Sequence, residues 1–186
     1  MLSGMSSDRL KRARAMWQWV GDERPPFAIE PGPEQESVWD YPRPPRIVAD
    51  TREVIVKLGT TIVASTRHAL RVLETASPPT FYLPTADIDM RLIEPAPGSS
   101  HCEWKGEARY FSVKGEHELL TAVGWSYPEP HPEYAALRDH LSFYPARIEC
   151  TVNAQRVQPQ PGKFYGGWIT AELAGPFKGE PGSGNW

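Results

Sequence analysis

The densest run of reactive side chains is His101-Cys102-Glu103-Trp104-Lys105-Gly106. It follows the turn-rich stretch 95–100 and leads into an alternating pattern. A thiol attacks as its thiolate, and nearby cations favour that form. Cys102, beside His101 and close to Lys105, is therefore the candidate catalytic residue. Neighbours on an extended chain point to opposite faces. His101 is then a poor direct base for Cys102, and a base would have to come from His68, His131 or His140. The competing reading is a small buried apolar residue in a structural loop, the commoner fate of a free cysteine.

Asp87-Ile88-Asp89 is a second constellation. On a strand both carboxylates would share a face and hold a divalent ion, as in nucleotidyl transfer. No glycine-rich phosphate loop accompanies them, and two acids at the start of a helical turn account for the pair equally simply. Ser126, in Gly124-Trp125-Ser126-Tyr127-Pro128, lacks the G-x-S-x-G context of a nucleophile elbow. There is no C-x-x-C, H-x-x-x-H or H-E-x-x-H pattern, so neither a metal nor a cofactor is expected. Trp104, Trp125, Tyr127, Tyr144, Tyr165 and Trp168 all fall at strand ends or in loops beside polar residues. Such a set lines a small-molecule pocket or fills an ordinary core, and sequence leaves both open.

These residues must be positioned by β structure. The chain has 186 residues, 20 prolines, seven tryptophans and a net charge of −3. That length suits one domain with an extension, and the prolines disfavour long regular elements. The charge gives no reason to expect a nucleic-acid partner, and no apolar run is long enough to span a membrane. Without an apolar leader, and with only Cys102 and Cys150, the expectation is a cytoplasmic protein with free thiols.

Residues 7–20 read as a helix capped by Ser7, with Leu10, Ala13, Trp17 and Val20 on one face. Residues 24–46 form a Pro-rich strap. From residue 47 short β units take over: Val54, Val56 and Leu58 alternate, residues 59–61 turn the chain, and residues 62–65 return. Residues 80–83 read as a strand, residues 109–113 and 119–127 as a hairpin, and residues 148–152 and 156–158 as another through Asn153-Ala154. Residues 132–141 read as a second helix with Pro132 in its first turn. Residues 161–186 carry seven glycines with five aromatics. They read as an ordered tail wrapping the sheet, with Gly166-Gly167 allowing close backbone approach.

Several motifs are shared with a known family. Val38-Trp39-Asp40-Tyr41-Pro42, Leu73-Glu74-Thr75, Pro78-Pro79-Thr80-Phe81-Tyr82-Leu83-Pro84, Cys102-Glu103-Trp104-Lys105-Gly106, Trp125-Ser126-Tyr127-Pro128, Phe143-Tyr144-Pro145 and Phe164-Tyr165-Gly166-Gly167-Trp168 occur in order. Together they resemble the bacterial domain-of-unknown-function family DUF427 over residues 37–186, leaving 1–36 as an N-terminal extension. The resemblance implies a mostly-β fold of the Mss4-like, or β-tent, type. Its antiparallel sheets would carry one or two short helices besides the N-terminal one. Relatives of that architecture often hold zinc through paired C-x-x-C motifs, which this chain lacks, so the groove remains as the ligand site.

The resulting expectation is an unidentified small molecule held by Trp104, Trp125, Tyr127, Tyr144, Tyr165 and Trp168, with His101, Lys105 and Arg109 as polar contacts. Whether the protein is an enzyme stays open. The alternatives are a protein-interaction or homo-oligomerisation module and a nucleotidyltransferase-like enzyme, a label the family sometimes carries.

Overall fold

The period-2 pattern that begins at residue 54 becomes two antiparallel sheets. A computed structural model describes residues 7–162 and 164–186. After the helix α1 (Ser7–Arg14), the strands in chain order are β1 (Glu36–Ser37), β2 (Arg46–Asp50), β3 (Val54–Leu58), β4 (Thr61–Thr66), β5 (Ala69–Leu73), β6 (Thr80–Pro84), β7 (Ile93–Cys102), β8 (Gly106–Lys114), β9 (Leu119–Ser126), β10 (His140–Phe143), β11 (Glu149–Val152), β12 (Gln155–Arg156), β13 (Gln158–Pro159), β14 (Trp168–Ile169) and β15 (Leu173–Ala174). Seven of them form one sheet in the order β2-β5-β6-β10-β9-β8-β7, and four form another in the order β12-β11-β3-β4. The mostly-β, antiparallel class expected from the sequence is the one observed.

Alternation gives the large sheet two buried faces. Phe81 and Leu83 of β6 join Val54, Val56, Val63 and Phe143 in the core, which draws on strands of both sheets. Tyr82, between them in sequence, belongs to a separate cluster with Trp104, Trp125 and Tyr127. One residue of offset therefore decides between core and site. A third cluster docks the strap and tail. There Trp39, fully buried, meets Trp19, Phe27 and Trp186 with ring centroids 6.2, 5.3 and 5.2 Å away. Parallel pairing of β1 with β15 ties the same two segments together.

The hairpin at Asn153-Ala154 forms as the sequence suggests, with both residues at positive φ (47° and 62°), as a two-residue turn between twisted strands requires. The tail is ordered and packs closely. A Cβ on Gly166 would overlap the Trp125 ring, and one on Gly167 would sit 2.8 Å from the Pro78 carbonyl oxygen.

Three expectations are corrected. The first helix ends at Arg14 instead of running to residue 20. Trp17 leaves the helical path to lie against two cations, and Val20 stays 40% exposed instead of joining an apolar stripe. The proposed Ser7 cap and residues 1–6 lie outside what is described. Residues 132–141 are not one helix: a 3₁₀ stretch, Pro132–Leu137, is interrupted at Tyr134, and His140–Phe143 is a strand. Tyr134 Oη donates to the Pro45 carbonyl at 2.9 Å, and the sheet claims the rest through pairing with β6 and β9. Residues 95–100 are strand and not turns. β7 is the outermost strand of its sheet, where prolines are tolerated, and its register shifts between Ala96 and Ser99.

Trp168 is the keystone of the core side. It is fully buried, stacks on Phe81 at 4.9 Å and donates its indole N–H to the Phe143 carbonyl at 3.0 Å. Trp168→Ala should lower unfolding stability by about 3–5 kcal/mol in a urea titration. A loss below about 1 kcal/mol would show that the tail contributes little to the core.

Candidate functional site

The reactive cluster is built by the β7–β8 hairpin. Cys102 pairs with Gly106 across the ladder, which leaves Glu103, Trp104 and Lys105 as the loop. Gly106 closes it at φ 103°, a conformation side chains rarely adopt. The Lys105 carbonyl accepts from the His131 amide at 3.0 Å and fixes the loop against the segment after β9.

This loop folds over the site face of the large sheet and encloses a cavity of about 200 Å³. The sheet supplies Tyr82, Tyr110 and Trp125, and Tyr144 follows β10. Trp125 donates its indole N–H to Tyr82 Oη at 3.3 Å, and its ring centroid is 4.4 Å from that of Tyr144. Two outlying segments complete the lining: Trp17 from the N-terminal side, and Gln160, Phe164, Tyr165, Gly166 and Lys178 from the tail. Trp17 donates to Glu103 Oε1 at 3.0 Å, while Arg14 donates to the Glu103 carbonyl at 2.8 Å. The Trp17 ring lies 3.4 Å from Lys178 Nζ and 4.3 Å from the Arg43 guanidinium, attractive contacts for a π face.

The charges inside are few and shared. Glu74 meets Arg43 Nε at 3.4 Å through one oxygen and Lys105 Nζ at 3.9 Å through the other. Burial works against the Lys105 ammonium, but its interactions with the Cys102, Tyr127, Glu74 and Tyr82 side chains outweigh it and hold its pKa above that of an ordinary lysine. Burial pushes the Tyr82 phenol up to about 12 and raises Tyr127 as well. At neutral pH both are uncharged donors. Lys178 differs from Lys105, because burial and then the nearby Arg43 push it down to about 8, against the pull of Glu74 and Glu103.

Of the residues singled out in the sequence, His101, Cys102, Trp104, Lys105, Trp125, Tyr127, Tyr144 and Tyr165 line this one cavity. Arg109 and Trp168 lie elsewhere. Arg109 sits between the cavity-lining Ala108 and Tyr110, so alternation turns it away, and its side chain is exposed beside Glu107 at 3.3 Å. Trp168 is spent on the core. Glu74, Tyr82, Trp17 and Lys178 were not foreseen as site residues. Glu74 and Tyr82 lay within the shared motifs, whereas nothing local marks Lys178.

None of the three candidate distant bases lines the cavity. The His131 ring lies 6.1 Å from that of His101, and its Nε2, like His140 Nδ1, is buried without a partner among the described residues. His68 lies instead beside Asp87, at 3.4 Å. Asp87 also accepts from Thr66 Oγ1 at 2.5 Å, and Asp89 caps a short turn and pairs with Arg91, so the two carboxylates do not face a common point. Among the described residues no group of three or more His, Cys, Asp or Glu is placed to hold a metal ion, and no helix is long and apolar enough to cross a membrane.

Fold and site thus define a small mostly-β domain with an aromatic cavity that buries charged side chains. The family model described as Domain of unknown function (DUF427) matches residues 46–154, and the chain belongs to that family. No curated protein matches the chain. The matched span contains the sheet face and the hairpin loop, while Trp17, Gln160, Tyr165 and Lys178 fall outside it.

Two predictions follow from this arrangement. Cys102 is partly exposed on the cavity, whereas Cys150 is buried and its thiol pKa is raised by that burial. A small thiol reagent should therefore modify one sulfur in the native protein, lost in Cys102→Ser, and both only after denaturation; native labelling of Cys150 would contradict the packing. Lys178 titrates lower when folded, so from about pH 8 to about pH 10 the unfolded chain binds more protons and stability from this group rises with pH. The urea midpoint of the wild type should climb over that window relative to Lys178→Met. Parallel profiles would show that Lys178 is not perturbed.

Proposed function

We propose that the protein binds a small molecule in this aromatic-lined cavity. The observation that carries the proposal is a preformed, partly open pocket of about 200 Å³ whose walls combine Tyr82, Trp125 and Tyr144 with a nearly buried lysine. Apolar walls with a few fixed polar groups are the usual composition of ligand sites. The aliphatic core lies on the other face of the sheet, so neither the lysine nor the space serves to fill it.

Cys102 on the same lining supports a narrower version, in which its thiol attacks the bound molecule. In that version Cys102→Ala abolishes turnover while leaving binding and stability intact.

The test is a thermal-shift screen of the full chain against metabolites and nucleotides, with and without Mg²⁺ and Zn²⁺. A ligand at 100 times its Kd stabilises by about 2.7 kcal/mol, a readable shift. Trp125→Ala should weaken the response to any hit at least about tenfold in ligand concentration. A screen without hits, or a hit indifferent to Trp125→Ala, would overturn the proposal.

A further inference from the structure

Two lysines and two carboxylates line the cavity, with two arginines behind them. Arg43, Lys105 and Lys178 are buried, with 6%, 8% and 2% of their surface exposed. Arg14 joins them over the Trp104 ring at 5.0 Å. The carboxylates on the lining are Glu74 and Glu103, and Lys178 Nζ also donates to the Trp186 carbonyl at 2.9 Å. Glu74 is divided between Arg43 and Lys105, and Glu103 is engaged by Trp17 through its side chain and by Arg14 through its carbonyl. A cation held in a weakly polar pocket is costly unless an opposite charge or an acceptor reaches it.

Lys105 sharpens the point. Its ammonium has three donors, yet among the described residues no acceptor lies within hydrogen-bonding distance, the carboxylate of Glu74 being 3.9 Å away. A buried cation in that state gains from an oxygen that reaches it directly. The surroundings also indicate which anion. Lysines bind carboxylate and phosphate alike as point charges, so the flat walls carry the choice, and a tetrahedral phosphate has no flat face to lay on them. Here the cavity offers two single-point lysines among flat rings. A carboxylate carries one charge and lies in the plane of an unsaturated frame, so it matches both.

We infer that the occupant is a small planar carboxylate, with its charged oxygen at Lys105 and its ring or unsaturated frame against Trp125 and Tyr144. This rests on the binding reading above and adds to it the chemical class of the ligand. Lys178, across from Trp17, supplies the second positive charge.

Matched pairs that differ only in charge test the class: benzoate with benzamide, and indole-3-carboxylate with its amide, titrated calorimetrically into the full chain. At least one carboxylate should bind about tenfold or more tightly than its amide. Lys105→Met should bring the pair to within about threefold. If Lys105→Met fails to fold, Lys178→Met serves as the second variant and should shrink the same preference. Equal binding of acid and amide would overturn the inference and leave the binding reading standing, as would a hit from the thermal-shift screen that is neutral or cationic while both acids fail. A carboxylate preference that survives both lysine variants would also overturn it. Failure of both pairs together with a screen without hits would end both.

Discussion

One carboxylate organises the site. Glu74, at the end of β5, is approached by Arg43 from the strap and by Lys105 from the β7–β8 loop, two segments far apart in sequence. A buried charge left without its counter-charge is strongly destabilising, so each of the three holds the others in place. Arg43 extends the arrangement by donating to the carbonyls of Trp19 and Thr75 at 2.8 and 2.9 Å. Thr75 in turn donates to the Tyr41 carbonyl at 2.6 Å. The strap is thus fastened to the sheet by polar contacts as well as by Trp39, and the position of Trp17 follows from where Arg43 has been fixed.

The large sheet is covered on both sides, and the two coverings do different things. On one face the four-stranded sheet closes an aliphatic core with Phe81, Phe143 and Trp168 inserted. On the other, irregular segments do the covering, and they leave a space. Loops fill volume less completely than a packed sheet, and their backbone needs polar partners, which accounts for the charged groups there. The division is made residue by residue. Ser142 is buried beside Trp125 on the site side, while Leu141 and Phe143, its neighbours, belong to the core.

Much of this was legible beforehand. Alternation and turn signals located the strands over 54–66, 80–83, 109–127 and 148–158, among them the Asn153-Ala154 hairpin, and the aromatic residues at strand ends pointed to a shared wall. What could not be read was contact between distant segments. Trp17 looked like a helical stripe because its spacing from Leu10 and Ala13 fits one. Only the presence of Arg43 and Lys178 beside it accounts for the different path. Residues 132–141 carried a helical pattern that pairing with two strands overrode. Trp168 shares with the site aromatics a place at a strand end beside polar residues, yet its side chain points into the core. Lys178 is an ordinary lysine in sequence, and its character comes wholly from burial and from Arg43.

The outermost strand of the large sheet has a bearing on how the molecule meets others of its kind. β7 is ten residues long, the longest strand present, and its outer side faces no other described strand. An open ladder of that length is ordinarily a template for edge-to-edge association and for the growth of fibrils. Here Pro95 and Pro97 remove two N–H donors, and the Pro97-Gly98 step falls where the register shifts. A second chain arriving at this side would find gaps where a ladder needs donors and a bend between them. The strand that carries the site's loop at one end is also the one that stops the sheet from being extended.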